Sequence, residues 1–280
     1  MAKLKQWKAR KMLLLAAGIV AVCMFVPYGY LAVYPFQLFG TFIHEAGHAL
    51  AAVMTGGEVQ SMVVNLDTSG YVKRFGGSGP IVASAGYLAS VLVGALLLFL
   101  GRKPRWAKPT LVALGVATLV ITALFSGYGG SILATAVFGL GLTLVAFGRA
   151  QKSRGKPGAS ATAVGGLAFM ASLAFVWITG GLVTWMVGML MGAGALAVAA
   201  YASRFVQHLA VLFLGVQISL DGINSIQVLF NLTSSGHEHN DAQSMAEYTG
   251  LPAEFWALSW GLMGVALIAG AFWMFWRDDR

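Results

Sequence analysis

The stretch IVASAGYLASVLVGALLLFLG, Ile81–Gly101, contains no Asp, Glu, Lys or Arg. A helix needs roughly 20 predominantly apolar residues to cross the hydrocarbon core of a bilayer, and this run is long enough to do so. The flanking charges sit outside it, at Arg74 and Arg102. Four more stretches are equally free of charge: Lys11 to Glu45, Lys108 to Arg149, Lys156 to Arg204, and Glu254 to Arg277. The first and last hold one span each. The middle two hold two spans each, broken at Ser126-Gly127-Tyr128-Gly129-Gly130 and at Gly180-Gly181.

The pattern predicts hydrophobic segments at 12–34, 37–55, 81–101, 109–126, 131–148, 160–178, 181–200, 205–231 and 252–275. The segment at 37–55 is shorter, and whether it crosses fully stays open. The expected fold is an all-α polytopic membrane protein with about 8–9 hydrophobic helical segments and a small β-hairpin after the second. Composition agrees. Of 280 residues, 58% are apolar and 10% charged, against about 25% charged in a soluble domain. A soluble globular domain and a disordered chain are both excluded. One membrane domain, 1–280, is expected, assembled from 12–101, a four-span middle at 109–200, and 205–280.

The net charge is +8, yet the basic residues flank spans rather than forming a stripe. They read as topology signals, not as a nucleic-acid surface. No nucleic-acid partner is expected. Cys23 is the only cysteine, so no internal disulfide can form. The basic N-terminus, Lys3 to Lys11, resembles a signal peptide, but the apolar run behind it outlasts a signal h-region without a clear cleavage pattern. An uncleaved first span follows.

Two stretches fall outside the spans. Thr55-Gly56-Gly57 stops a helix, and Glu58 to Phe75, with a turn at Asp67-Thr68-Ser69-Gly70, reads as a hairpin. Residues 233–251 are polar and hold His237, Glu238, His239, Asn240 and Asp241 before a short helical stretch at 242–248. The positive-inside rule puts the N-terminus, the loops 102–108 and 149–156, Arg204 and Arg277 in the cytoplasm. These agree only if residues 12–55 make one net crossing or another early segment is re-entrant.

Within 37–55 lies Phe42-Ile43-His44-Glu45-Ala46-Gly47-His48-Ala49-Leu50, an HExxH sequence. On a helix His44 and His48 share one face and can bind one Zn²⁺, while Glu45 sits beside the metal as a base for its water. Ionisable residues at membrane depth cost on the order of 3 kcal/mol each and mark functional sites. Here three fall together.

His44-Glu45-Ala46-Gly47-His48-Ala49 in an apolar segment resembles the site-2 protease superfamily of intramembrane zinc metallopeptidases. The closer likeness is to its compact multi-span bacterial and plant branch. Further matching elements are Asp67-Thr68-Ser69-Gly70, Ala85-Gly86-Tyr87-Leu88, Asn240-Asp241-Ala242, Thr249-Gly250-Leu251-Pro252, and Trp256 and Trp260 in the last span. The middle, 109–200, matches only in being hydrophobic.

The resemblance implies a metalloendopeptidase acting on a membrane protein or peptide substrate. Residence would be in a bacterial cytoplasmic (inner) membrane, multi-pass, with the N-terminus in the cytoplasm. The alternative is a non-proteolytic membrane protein (transporter, assembly factor or pseudoprotease) that keeps zinc for structure. The sequence is silent on oligomeric state.

A catalytic zinc takes three protein ligands and an open position. Two aspartates compete for the third place. Asp221, in Ser219-Leu220-Asp221-Gly222, lies within 205–231 and resembles the Leu-Asp-Gly element of other site-2 proteases, although Gln217-Ile218-Ser219 replace the Asn-Pro that often accompanies it. Packing near His208, Gln217 and Asn224 is its plainer role. Asp241 matches the closer branch and on that match is the expected third ligand, with Asp221 the alternative; N-capping of the 242–248 helix is its plainer role. Other features read as packing or anchoring: Gly188 and Gly192 as a close helix contact, and Trp256, Trp260, Trp273 and Trp276 as lipid-facing or interfacial residues. The 58–75 hairpin reads either as a cap or as a strand edge for an extended substrate.

Overall fold

A computed structural model describes residues 2–127, 131–154, 157–178, 181–235 and 240–277. The chain begins with α1 (Ala2–Phe25), α2 (Tyr30–Met54), β1 (Glu58–Val64), β2 (Gly70–Phe75) and α3 (Gly79–Gly101). After a 3-10 turn at Pro104–Trp106 come α4 (Ala107–Phe125), α5 (Ser131–Ser153), α6 (Ala159–Ile178) and α7 (Leu182–Tyr201). The chain closes with α8 (Arg204–Ser235), α9 (Asp241–Thr249) and α10 (Ala253–Arg277). The expected architecture is the observed one, helical throughout with one small hairpin behind the HExxH helix. Among the described residues 7 helices, α3 to α8 and α10, are long and apolar enough to cross a membrane.

The first two segments differ from the expectation. The break falls at 26–29, not at 35–36, and the two helices it separates are bent 111° from each other. Tyr28 takes a positive φ of 62°, and Gly29 packs directly on the Cys23 carbonyl, where a Cβ would collide. Pro35, by contrast, is absorbed near the start of α2.

α3 lies at the centre, against α2, α8, α9 and α10, while α4 packs on α7 and α5 mainly on α6. Small residues permit these close approaches. Gly188 and Gly192 face α4, where a Cβ on the first would strike the Thr122 hydroxyl and one on the second would meet Leu119. Phe39, Phe42, Met62, Leu111, Val187 and Ile218 form a common core beneath the hairpin.

The hairpin is antiparallel, with Val64 opposite Gly70 and Glu58 opposite Phe75, and a bulge between Val59 and Ser61. Its two strands have different surroundings. Ser61 to Val64 of β1 are buried, Met62 bridges to Ser126 behind α4, and the Val64 N–H donates to Thr184 Oγ1 at 2.8 Å. The alternation of β2, half-buried then exposed, belongs to a strand with one open side. The turn is fastened to α2 by Thr41 Oγ1, which donates to the Thr68 carbonyl at 2.8 Å, and by the Tyr34 hydroxyl on the Leu66 carbonyl.

Candidate metal centre

Helical spacing in α2 brings the His44 and His48 Nε2 atoms to 3.0 Å from each other. His48 Nδ1 lies 2.6 Å from the Val82 carbonyl of α3. A carbonyl only accepts, so Nδ1 carries the proton and Nε2 is the ring atom turned toward His44 and Asp241. Such a second partner orients metal-binding histidines in general. The two rings stand at 77°, and Tyr87 of α3 meets His44 edge to face, at 4.6 Å and 88°. Tyr87 is in turn stacked on Trp260 of α10 at 5.3 Å.

Asp241 completes the group from α9. Its Oδ2 is 3.3 Å from His44 Nε2 and 3.2 Å from His48 Nε2. Asp241 is not the N-cap of its helix. Asn240 is the cap, accepting from the Ala242 and Gln243 N–H groups, while the Gln243 side chain reaches back to the Asn240 N–H. This capping box leaves the Asp241 carboxylate free to face the histidines. Burial works to raise its pKa, but hydrogen bonding and charge interaction with His44 and His48 outweigh that and hold it well below the usual carboxylate range.

The three atoms form a nearly equilateral triangle with sides of 3.0, 3.2 and 3.3 Å. Ligands about 2.0–2.1 Å from a tetrahedral ion lie roughly 3.3 Å apart, so the donors fit zinc in spacing and in chemistry. Among the described residues His44, His48 and Asp241 are the group of three able to hold a metal. The structure therefore brings Asp241 to the histidine pair and leaves Asp221 elsewhere. Asp221 accepts from Gln217 Nε2 at 3.0 Å and abuts Gly40, where a Cβ would lie 2.9 Å from its Oδ2.

Glu45 is buried, at 4% exposure, but lines a cavity of about 630 Å³ that reaches His44, His48 and Asp241. Val72 and Arg74 of β2 line one side of this cleft, Ser244 and Tyr248 of α9 the other, and Asp221 another part of it. Two glycines let backbone close around the carboxylate and the imidazoles. At Gly70 a Cβ would lie 2.7 Å from Glu45 Oε1. At Gly86 it would collide with the Nε2 atoms of both histidines.

Sequence reading named Gly70 in the hairpin turn and Gly86 and Tyr87 among the elements of the family resemblance, but gave none of them a part in the metal centre and did not single out Val82. The matching element Ala85-Gly86-Tyr87-Leu88 was the available signal for Gly86, since a helical glycine alone does not mark a close approach, as Gly18, Gly139, Gly166, Gly194 and Gly270 have open space around them. Val82 acts through its backbone, which no residue type announces. Trp260 is 3% exposed, not lipid-facing, because it lies on the α10 face that packs on α3. Trp273 is exposed as expected. His208 bonds the Gly101 carbonyl at 2.7 Å, far along α3 from the histidine pair. His237, Glu238 and His239 lie outside the described residues, as does the side chain of Trp276.

Helices of spanning length gathered round a two-histidine, one-carboxylate triangle define a class, the membrane proteins with a candidate metal centre at the wall of a cleft. Within that class the chain belongs to the Peptidase M50B-like family, whose model matches residues 15–156 and 126–271. It is thus an integral membrane protein of a peptidase family. No curated protein and no solved structure matches it.

Proposed function

We propose that this chain is an intramembrane zinc metalloendopeptidase that cleaves membrane-embedded or membrane-proximal protein substrates. The observation that carries this reading is the triangle of His44, His48 and Asp241 beside a buried Glu45 at the wall of an open cleft. His44, His48 and Asp241 would hold the ion. Zinc, when bound, supplies Lewis acidity that makes water ionisable near pH 7 and polarises a carbonyl.

Glu45 takes the proton from the attacking water and delivers it to the departing amine. Val82 and Tyr87 keep the two imidazoles in place. The open edge of β2 holds an extended stretch of substrate by main-chain hydrogen bonds, between Arg74 and Tyr248. A helical substrate has no free main-chain donors, so it must unwind before it can pair there. The reading also places the protein in a bacterial cytoplasmic membrane with the N-terminus inside, since the basic segments flank spans.

The test measures bound zinc and cleavage of a single-span protein substrate by the purified chain. Glu45→Gln should retain zinc and lose about 100- to 10,000-fold in rate, the usual scale for a general base. Asp241→Ala should lose zinc and activity together, while Asp221→Ala keeps zinc. Full activity in Glu45→Gln with zinc bound would refute the mechanism. Zinc loss in Asp221→Ala but not in Asp241→Ala would reverse the ligand assignment.

A further inference from the structure

We infer that the cleft opens on the extracytoplasmic face of the membrane, so that its substrates are taken from that side. The word substrate rests on the proteolytic reading; the orientation does not. The fold has two ends, and hydrogen bonds identify one of them. Arg10 Nε donates to the Phe275 carbonyl at 2.8 Å, and Arg102 Nη1 to the Met274 carbonyl at 3.4 Å. His208 Nε2 lies 2.7 Å from the Gly101 carbonyl. The early part of α1, the end of α3, the start of α8 and the end of α10 therefore meet at one end.

The site marks the other end. The Ser78 N–H donates to Thr55 Oγ1 at 2.9 Å, joining the end of α2 to the start of α3. Gly79 lies under the Tyr248 ring of α9. Met62 and Val64 of β1 meet Ser126 behind α4 and Thr184 at the start of α7. The cleft, bounded by β2 and α9, belongs to this end.

Charge divides between the ends with little overlap. Arg10, Lys11, the basic residues of 102–108 and 149–154, Arg204 and Arg277 all belong to the first end or to the connections leading to it. The site end carries Lys73 and Arg74 against Glu58, Asp67, Asp241, Glu247 and Glu254. Lys and Arg are retained on the cytoplasmic side, so the first end is cytoplasmic and the cleft faces away from it.

The bend between α1 and α2 reconciles this with the N-terminus. Arg10 of α1 sits at the cytoplasmic end and α2 finishes at the site end, so the bent pair makes one net crossing. The hairpin turn agrees in a separate way. Asp67 is fully exposed, and the Ser69 hydroxyl and N–H hold its carboxyl below the usual carboxylate range. An ionised group of that kind requires water, not lipid.

Single cysteines in a Cys23→Ser background test this in the full chain. With a membrane-impermeant maleimide, Asp67→Cys and Glu254→Cys should label in intact spheroplasts as fully as after permeabilisation. Lys103→Cys and Lys152→Cys should label only after permeabilisation. A C-terminal fluorescent-protein fusion, which matures in the cytoplasm and not after export through the general secretion pathway, should be bright. Labelling of Lys103→Cys in intact spheroplasts with protection at Glu254→Cys would overturn the orientation, as would a dark fusion at normal expression. A chain that labels as expected but neither binds zinc nor cleaves would refute the enzyme and leave the orientation standing.

Discussion

At Gly86 the backbone of α3 comes so close to His44 and His48 that any Cβ would occupy the space of their Nε2 atoms. The imidazoles converge because that carbon is missing. Gly86→Ala should therefore weaken zinc binding by about 10- to 100-fold, the scale seen when groups supporting metal ligands are disturbed, with helicity unchanged. Competition with a fluorescent chelator measures it, and unaltered affinity would show that α3 can shift without cost. Asp241 and Asp221 illustrate the same scale. Each was a reasonable third ligand by residue type and neighbouring motif. Only Asp241 has a carboxylate oxygen at matched distances from both histidines, and Asp221 is turned to Gln217 and Gly40 instead.

Among elements, α9 carries the most consequence for its length. It is a 9-residue helix, too short to be stable alone. It is held by its capping box, by the αL residue Gly250 at its end, and by Ala242 and Met245 packed against Ala83, Ala257 and Trp260. Asn240→Ala removes the cap, worth about 1 kcal/mol. Because α9 presents Asp241, that loss should appear as a roughly fivefold weaker zinc affinity, and Asn240→Ser should largely restore it. The buried strand of the hairpin has a polar tether of similar weight, in addition to the two at its turn. Thr184→Val leaves the buried Val64 N–H without its acceptor, at a cost of about 1–3 kcal/mol, and should lower the unfolding temperature measured in detergent. The bent α1–α2 pair is the element that sequence placed least well. The segment bounds implied a break at 35–36, but it came where Tyr28 and Gly29 could take up the turn, and Pro35 lies six residues later inside α2.

For the molecule as a whole, the proposed ligands come from two distant parts of the chain, so a bound zinc would join α2 to α9 across α3. Metal that binds only the folded state stabilises it by about 2.7 kcal/mol at a concentration of 100 Kd. Removing zinc with a chelator should thus lower the thermal midpoint of the wild type. Asp241→Ala should show no such drop; a chelator shift of equal size in that variant would mean that Asp241 contributes nothing to the bond.

The spans, the hairpin and the HExxH residues were all legible in the sequence, for physical reasons. A bilayer demands long apolar runs, so Ile81–Gly101 and its counterparts announce themselves by lacking charge. A metal needs two imidazoles on one helical face, so His44 and His48 announce themselves by spacing. What followed from local chemistry could be read locally. The distances that bring Asp241 and not Asp221 to both histidines, the reliance on Gly86 and the Val82 carbonyl, and the gathering of basic termini at the end away from the cleft could not. Each depends on which residues distant in the chain become neighbours, and packing of α2, α8, α9 and α10 around α3 alone decides that.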